Sequence, residues 1–134
     1  GAPLAPLGKI ASGGELSRFI LALKVALAEE YGLKTIIFDE VDRVVGGAVA
    51  SAIGDRLSRL SSGAQLLVVT HSPQVASKGD AHMLINKSLS GTVSRTDVRA
   101  LDNEGRRQEI ARMLSGADVT DEARAQADRL LEGV

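Results

Sequence analysis

Thr35-Ile36-Ile37-Phe38-Asp39-Glu40-Val41-Asp42 is an apolar run that ends on two adjacent acids and continues to a third. Short β-branched and aromatic runs of this kind read as buried parallel strands. In open α/β sheets the ligand site lies beyond the carboxyl ends of the strands. Two carboxylates at that point suit a metal ion and a water. Asp39 and Glu40 alternate sides of the strand, so they do not share one environment and suit two roles better than one. One carboxylate can hold Mg²⁺, directly or through water, while its neighbour orients or deprotonates the water that attacks a phosphoryl group. Taken alone, the pair reads equally well as a solvated acidic strand end.

Two further stretches fit that edge. Ala11-Ser12-Gly13-Gly14-Glu15-Leu16-Ser17-Arg18 precedes a helical pattern in which Leu16, Phe19, Ile20, Leu23 and Leu27 share a face. Ser12 is a good cap, Gly13 and Gly14 expose backbone N–H groups, and the helix dipole adds positive potential, so an anion, most naturally a phosphate, would be bound there. An ordinary Ser/Gly helix start has the same composition. Leu66-Leu67-Val68-Val69-Thr70 is a second apolar strand, and it ends on His71-Ser72-Pro73-Gln74. A lone histidine is more often structural or superficial than catalytic, but this one falls on the same edge as Asp39 and Glu40.

The remaining order is β-α-β and then a hairpin. A helix is expected near Glu15 to Glu30, a strand near Lys34 to Asp39, a helix near Gly47 to Leu60 and a strand near Gln65 to Thr70. A short helix starts at Pro73, since proline suits a first turn. Ala81 to Lys87 and Thr92 to Arg99 pair around Ser88-Leu89-Ser90-Gly91, with period-two alternation at Thr92, Ser94 and Thr96. Helices near Asn103 to Leu114 and Asp121 to Leu131 close the chain, the second opened by the capping hydroxyl of Thr120 and the acids Asp121 and Glu122. A right-handed crossover leaves the acids and the histidine on one edge. Arg106, Arg107 and Arg112 read as a solvated helix face, with a DNA contact the lesser reading.

At 134 residues and 44% hydrophobic content the chain has enough apolar material for one core. Two Phe, one Tyr and no Trp make that core aliphatic. A formal net charge of -1 gives no overall pull towards nucleic acid. The absence of cysteine, of a signal peptide and of a membrane-length apolar stretch leads to the expectation of a soluble, cytoplasmic protein with no membrane partner.

Together these stretches resemble the carboxyl-terminal half of an ATP-binding-cassette (ABC) ATPase head. Ala11-Ser12-Gly13-Gly14-Glu15 is similar to the signature motif, and Thr35-Ile36-Ile37-Phe38-Asp39-Glu40 to Walker B with its catalytic glutamate. Val41-Asp42 is similar to the D-loop, and Val69-Thr70-His71 to the switch-histidine loop. The order of the four motifs, the Ser-Gly-Gly-Glu form, the Glu-Val-Asp sequence and the tail Ile110-Ala111-Arg112-Met113-Leu114-Ser115-Gly116 resemble the DNA-repair ATPases of the structural-maintenance-of-chromosomes (SMC) type, from about Pro3 to Leu131. One departure stands out. That family usually has glycine early in the loop after the D-loop Asp, whereas Arg43-Val44-Val45 precede Gly46-Gly47 here, and β-branched Val44 resists positive φ.

The resemblance implies an α/β fold: the carboxyl-terminal lobe of a P-loop NTPase head, mainly parallel strands flanked by helices, with a β-hairpin and two terminal helices. Residues 1–12 are expected as a Pro/Gly-rich entry loop and 13–134 as the lobe itself. It implies ATP and Mg²⁺ as ligands and a head dimer in which each site takes Walker A from one head and the signature from the other. Ser12, Gly13 and Gly14 then bind the γ-phosphate of the partner head's ATP, and Glu15 is nucleotide-binding with them. Asp39 holds Mg²⁺ through water, Glu40 polarises the attacking water, Asp42 crosses the dimer interface and His71 contacts the γ-phosphate. The implied partners are a second head, the Walker A lobe of the same protein and DNA. The implied setting is double-strand break repair and recombination at the bacterial nucleoid.

Three other classes compete. A transporter's nucleotide-binding half shares the motifs but usually carries glutamine where Glu15 stands. A serine hydrolase using Ser12 and His71 lacks a Gly-x-Ser-x-Gly elbow. A non-catalytic interaction fragment is the third, because no Gly-x-x-x-x-Gly-Lys-Ser/Thr loop and no long heptad run occur in the chain. For the same reason this chain alone is expected to be inactive, with no tight binding in a calorimetric titration with Mg-ATP; a dissociation constant in the low micromolar range would contradict it.

Overall fold

The structure is a computed structural model that describes residues 13–32, 34–40, 42 and 46–133. Among these the elements run α1 Gly13–Tyr31, β1 Thr35–Asp39, α2 Gly47–Leu60, β2 Gln65–Val69, α3 Pro73–Ala76, β3 Met83–Ser90, β4 Val93–Ala100, α4 Asn103–Ser115 and α5 Asp121–Glu132. Two compact units divide between Val75 and Ala76.

The first unit is built on the parallel pairing of β1 and β2, which runs in register from Thr35 opposite Gln65 to Asp39 opposite Val69. Ile36 and Phe38 point to one side and are buried with Leu21, Val25 and Ala28 of α1, Ala50, Ile53 and Leu57 of α2, and Val75. Phe38 is fully enclosed. The alternate residues Ile37, Leu67 and Val69 stay exposed, so the described residues cover one face of this sheet. Lys24 of α1 steadies the outer margin of β1. Its Nζ donates to the Ile37 carbonyl at 2.9 Å and sits 5.4 Å from the Phe38 ring centroid.

The second unit pairs β3 with β4 in an antiparallel ribbon, and α4 with α5 around Ile110, Ala111, Ala123 and Ala127. Asp102 caps α4 by accepting from the Gly105 amide at 2.7 Å, and Thr120 caps α5 by accepting from Ala123 at 3.1 Å. His82 is partly buried with its Nδ1 unsatisfied. Burial first, and then the nearby Arg106 charge, lower its pKa from the usual imidazole value, against an opposing pull from Glu109.

Several expectations are corrected. The stripe Phe19, Ile20, Leu23 and Leu27 is exposed, and α1 buries the opposite stripe of Leu21, Val25 and Ala28; the Leu16 side chain lies outside the described residues. Gly13 and Gly14 belong to the helix rather than to a loop before it. The hairpin turn is two residues later and tighter than expected, because Ser90 pairs with Val93 and the reversal falls on Gly91-Thr92. Gly91 takes φ 64, which only glycine adopts freely. The three arginines are not a plain solvated face. Arg106 donates to the carbonyls of Ala76 and Ser77 at 3.2 and 3.0 Å and also to Gly79, Arg107 makes a fork on Asp128 at 2.6 and 3.2 Å, and Arg112 Nε reaches Glu109 at 2.8 Å.

Phe38→Ala should destabilise the first unit by about 3–5 kcal/mol, as for other enclosed aromatic residues. Ile37→Ala, on the open face, should cost well under half as much in the same urea titration.

Candidate functional site

The parallel register brings the carboxyl ends of β1 and β2 side by side, and a backbone bond closes the pair, Glu40 N–H donating to the Val69 carbonyl at 2.9 Å. Asp39 is the last strand residue and is exposed. Glu40 has already left the strand. Its φ of 49 is the one positive value at a non-glycine position among the described residues, and an L-residue is strained there. The expected alternation of Asp39 and Glu40 therefore stops at Asp39, and the turn rather than the pleat sets the direction of Glu40.

That turn carries Glu40 Oε1 to 3.3 Å from His71 Nε2. The His71 side chain is 87% exposed and that of Glu40 39% exposed. Next to this pair, one Asp42 carboxylate oxygen, Oδ2, accepts from the Thr70 hydroxyl and from the Ser72 amide at 3.2 Å. The Ser72 amide is shared with Thr70 Oγ1 at 2.9 Å. Ser72 in turn donates from Oγ to Gln74 Oε1 at 2.8 Å and accepts the Val75 amide at 3.4 Å, which caps α3. Acid, imidazole and a second acid thus meet at one strand edge. Thr70 and Ser72 were not assigned roles from the sequence; hydroxyls on both sides of a histidine were the available signal.

Gly13 and Gly14 open α1 and Glu15 lies exposed in its first turn. Ser12, Val41 and Arg43–Val45, including the Val44 departure, lie outside the described residues. No group of three or more His, Asp or Glu side chains forms a metal cluster among the described residues. Mg²⁺ is commonly held by one or two carboxylates together with substrate phosphates, and exposed Asp39 is a donor of that kind. Among the described residues no helix is long and apolar enough to cross a membrane.

No protein-family profile matches the chain. It is homologous to DNA repair protein RecN of Streptomyces coelicolor, with 49% identity over 132 residues, 98% of this chain and 23% of that protein. RecN of Halalkalibacterium halodurans is 45% identical over the same shares, and RecN of Rickettsia bellii 48% identical over 93% of the chain and 23% of its own length. The chain thus spans just under a quarter of these relatives. Among solved structures, the Smc head domain with coiled coil and joint from Pyrococcus yayanosii is 25% identical with TM-score 0.62, covering 76% of this chain and 19% of that one. The SMC head domain from Thermotoga maritima is 28% identical with TM-score 0.53, over 70% and 34%. A structure from work on ATP-driven dimerization and DNA-stimulated activation of SMC ATPases gives TM-score 0.61 at 22% identity, over 82% of this chain and 66% of that one. The fold is that of part of an SMC ATPase head.

The positive φ at Glu40 sets a stability test. Glu40→Gly removes the Cβ clash that Glu40→Ala retains, so the glycine variant should unfold at the higher temperature, with an advantage of about 1 kcal/mol. The reverse order in thermal unfolding would exclude the left-handed conformation.

Proposed function

We propose that this chain is the signature and Walker B part of a RecN-like ATPase head that acts in DNA double-strand break repair and recombination. The observation that carries the reading is the Glu40–His71 pair at the joined ends of two parallel strands, in a chain 45–49% identical to RecN proteins over 98% of its length where the match is longest. The intact protein is an ATP phosphohydrolase; the chain alone, without a Walker A loop, is inactive. A cytoplasmic, nucleoid-associated setting is part of the same proposal.

In this reading two heads enclose two nucleotides. Ser12 and the amides of Gly13 and Gly14 receive the γ-phosphate bound to the opposite head, where a helix start favours negative charge, and Glu15 belongs to the same nucleotide-binding motif. Asp39 would hold Mg²⁺, which on binding neutralises charge on the phosphates. Glu40 accepts a hydrogen bond from the attacking water and aligns it. His71, beside Glu40, is the contact to the γ-phosphate, and Asp42 faces the second head. Hydrolysis of this kind depends on positioning and electrostatic stabilisation of a loose transition state rather than on covalent catalysis. The Glu40 carboxylate and the His71 imidazole lie 3.3 Å from one another at the shared strand edge, which supports a positioning role. The Walker A lobe of the same polypeptide and DNA complete the partners.

Ser12→Arg tests the shared site. Bulk and charge at the head-to-head contact should leave ATP binding to each intact monomer within about threefold of the parent while ATP-driven dimerisation and turnover collapse. Mixed with a Walker A variant of the intact protein, it should regain part of the activity, since one composite site in the mixed dimer keeps a sound signature and a sound Walker A. Stable mixed dimers with no activity would count against the shared site.

A further inference from the structure

His71 has almost no packing to hold it. With 87% of its side chain exposed, its direction is set by its own backbone and by the Glu40 contact. The residues on either side are held by a single carboxylate, because Asp42 Oδ2 accepts from the Thr70 side-chain hydroxyl before His71 and from the Ser72 backbone amide after it. Asp42 lies two residues beyond Glu40, whose own amide is bonded to Val69. Two ties therefore connect the turn that carries the acid to the turn that carries the imidazole, one of backbone and one of side chain. Hydrogen bonds to an ionised acceptor are shorter and stronger than neutral ones, so a carboxylate is well suited to this clamp.

We propose that Asp42 is a positioning residue for His71: by clamping Thr70 and Ser72 it sets the imidazole against Glu40, within the same chain. This rests on the ATPase reading for its consequence in turnover, but the clamp itself has a readout that needs no nucleotide. It also differs from the interface role, which places the work of Asp42 on the second head.

In the intact protein, Asp42→Ala and Thr70→Val should each lower kcat by about 10- to 100-fold, the cost of a group misplaced by about 1 Å, with KM for ATP nearly unchanged. Asp42→Asn, whose amide oxygen can still accept from both neighbours, and Thr70→Ser, which keeps the hydroxyl, should recover most of the loss. In a His71→Ala background Asp42→Ala should cost nothing further, because residues acting as one unit are not additive. The His71 ring resonance, assigned by its absence in His71→Ala, should move in Asp42→Ala and Thr70→Val without nucleotide and return in the two conservative variants. A loss that adds fully to that of His71→Ala, or a His71 resonance indifferent to Asp42 and Thr70, would overturn the proposal. Should the parent show no turnover, the ATPase reading fails and the resonance alone decides the clamp.

Discussion

The pairing of β1 with β2 is the constraint on which the site depends. Parallel strands joined by a crossover finish at the same end of the sheet, so whatever follows each strand is delivered to one place. Here the register from Thr35–Gln65 to Asp39–Val69 brings Asp39 and Glu40 beside Thr70 and His71. Because a slip of one residue would turn Ile36 and Phe38 out of the core, the register is fixed by burial. Core packing on one face of the sheet thereby sets a polar geometry at its end.

What the strand end does next differs from what the pleat alone provides. Glu40 turns into the left-handed region, at a cost of about 1–2 kcal/mol for an L-residue. Strain of this kind persists only where surrounding bonds hold it. The Glu40–Val69 backbone bond and the Asp42 contacts on Thr70 and Ser72 are such bonds. A glycine at position 40 would relieve the backbone, but it would also remove the carboxylate that faces His71. The strain is thus tied to having an acid at that point.

Much of this was legible in the sequence for identifiable physical reasons. The strands at Thr35–Asp39 and Gln65–Val69 are short β-branched runs, and the helix at Gly47–Leu60 matches its expected bounds because a Gly pair and a Ser-Ser-Gly stretch punctuate it. The core face of α1 was not legible. That helix is apolar on two sides, Leu21, Val25 and Ala28 on one and Phe19, Ile20, Leu23 and Leu27 on the other, and periodicity cannot say which stripe is buried. The hairpin turn was displaced because Ser88 to Gly91 has turn composition throughout, whereas the left-handed residue the reversal needs is Gly91. Likewise, Arg106, Arg107 and Arg112 share a charge but bind three different partners, and a charge pattern alone does not distinguish a solvated guanidinium from one that bonds carbonyls.

At the site, residue types were legible and their couplings were not. The acids after β1 and the histidine after β2 follow from motif and topology, since each occupies a strand end. The bond between Asp42 and the residues around His71 joins positions 28 and 30 apart in sequence, and only the closed register makes them neighbours. That separation has a consequence for how substitutions act. A change in the buried strands that shifts β1 against β2 moves Asp42 relative to Thr70 and Ser72, even when the altered side chain is a core residue such as Phe38 rather than one of these polar groups. The site is therefore sensitive to the core through geometry rather than through charge, and a variant such as Phe38→Ala perturbs His71 and Glu40 together, because both hang from the same pair of strands.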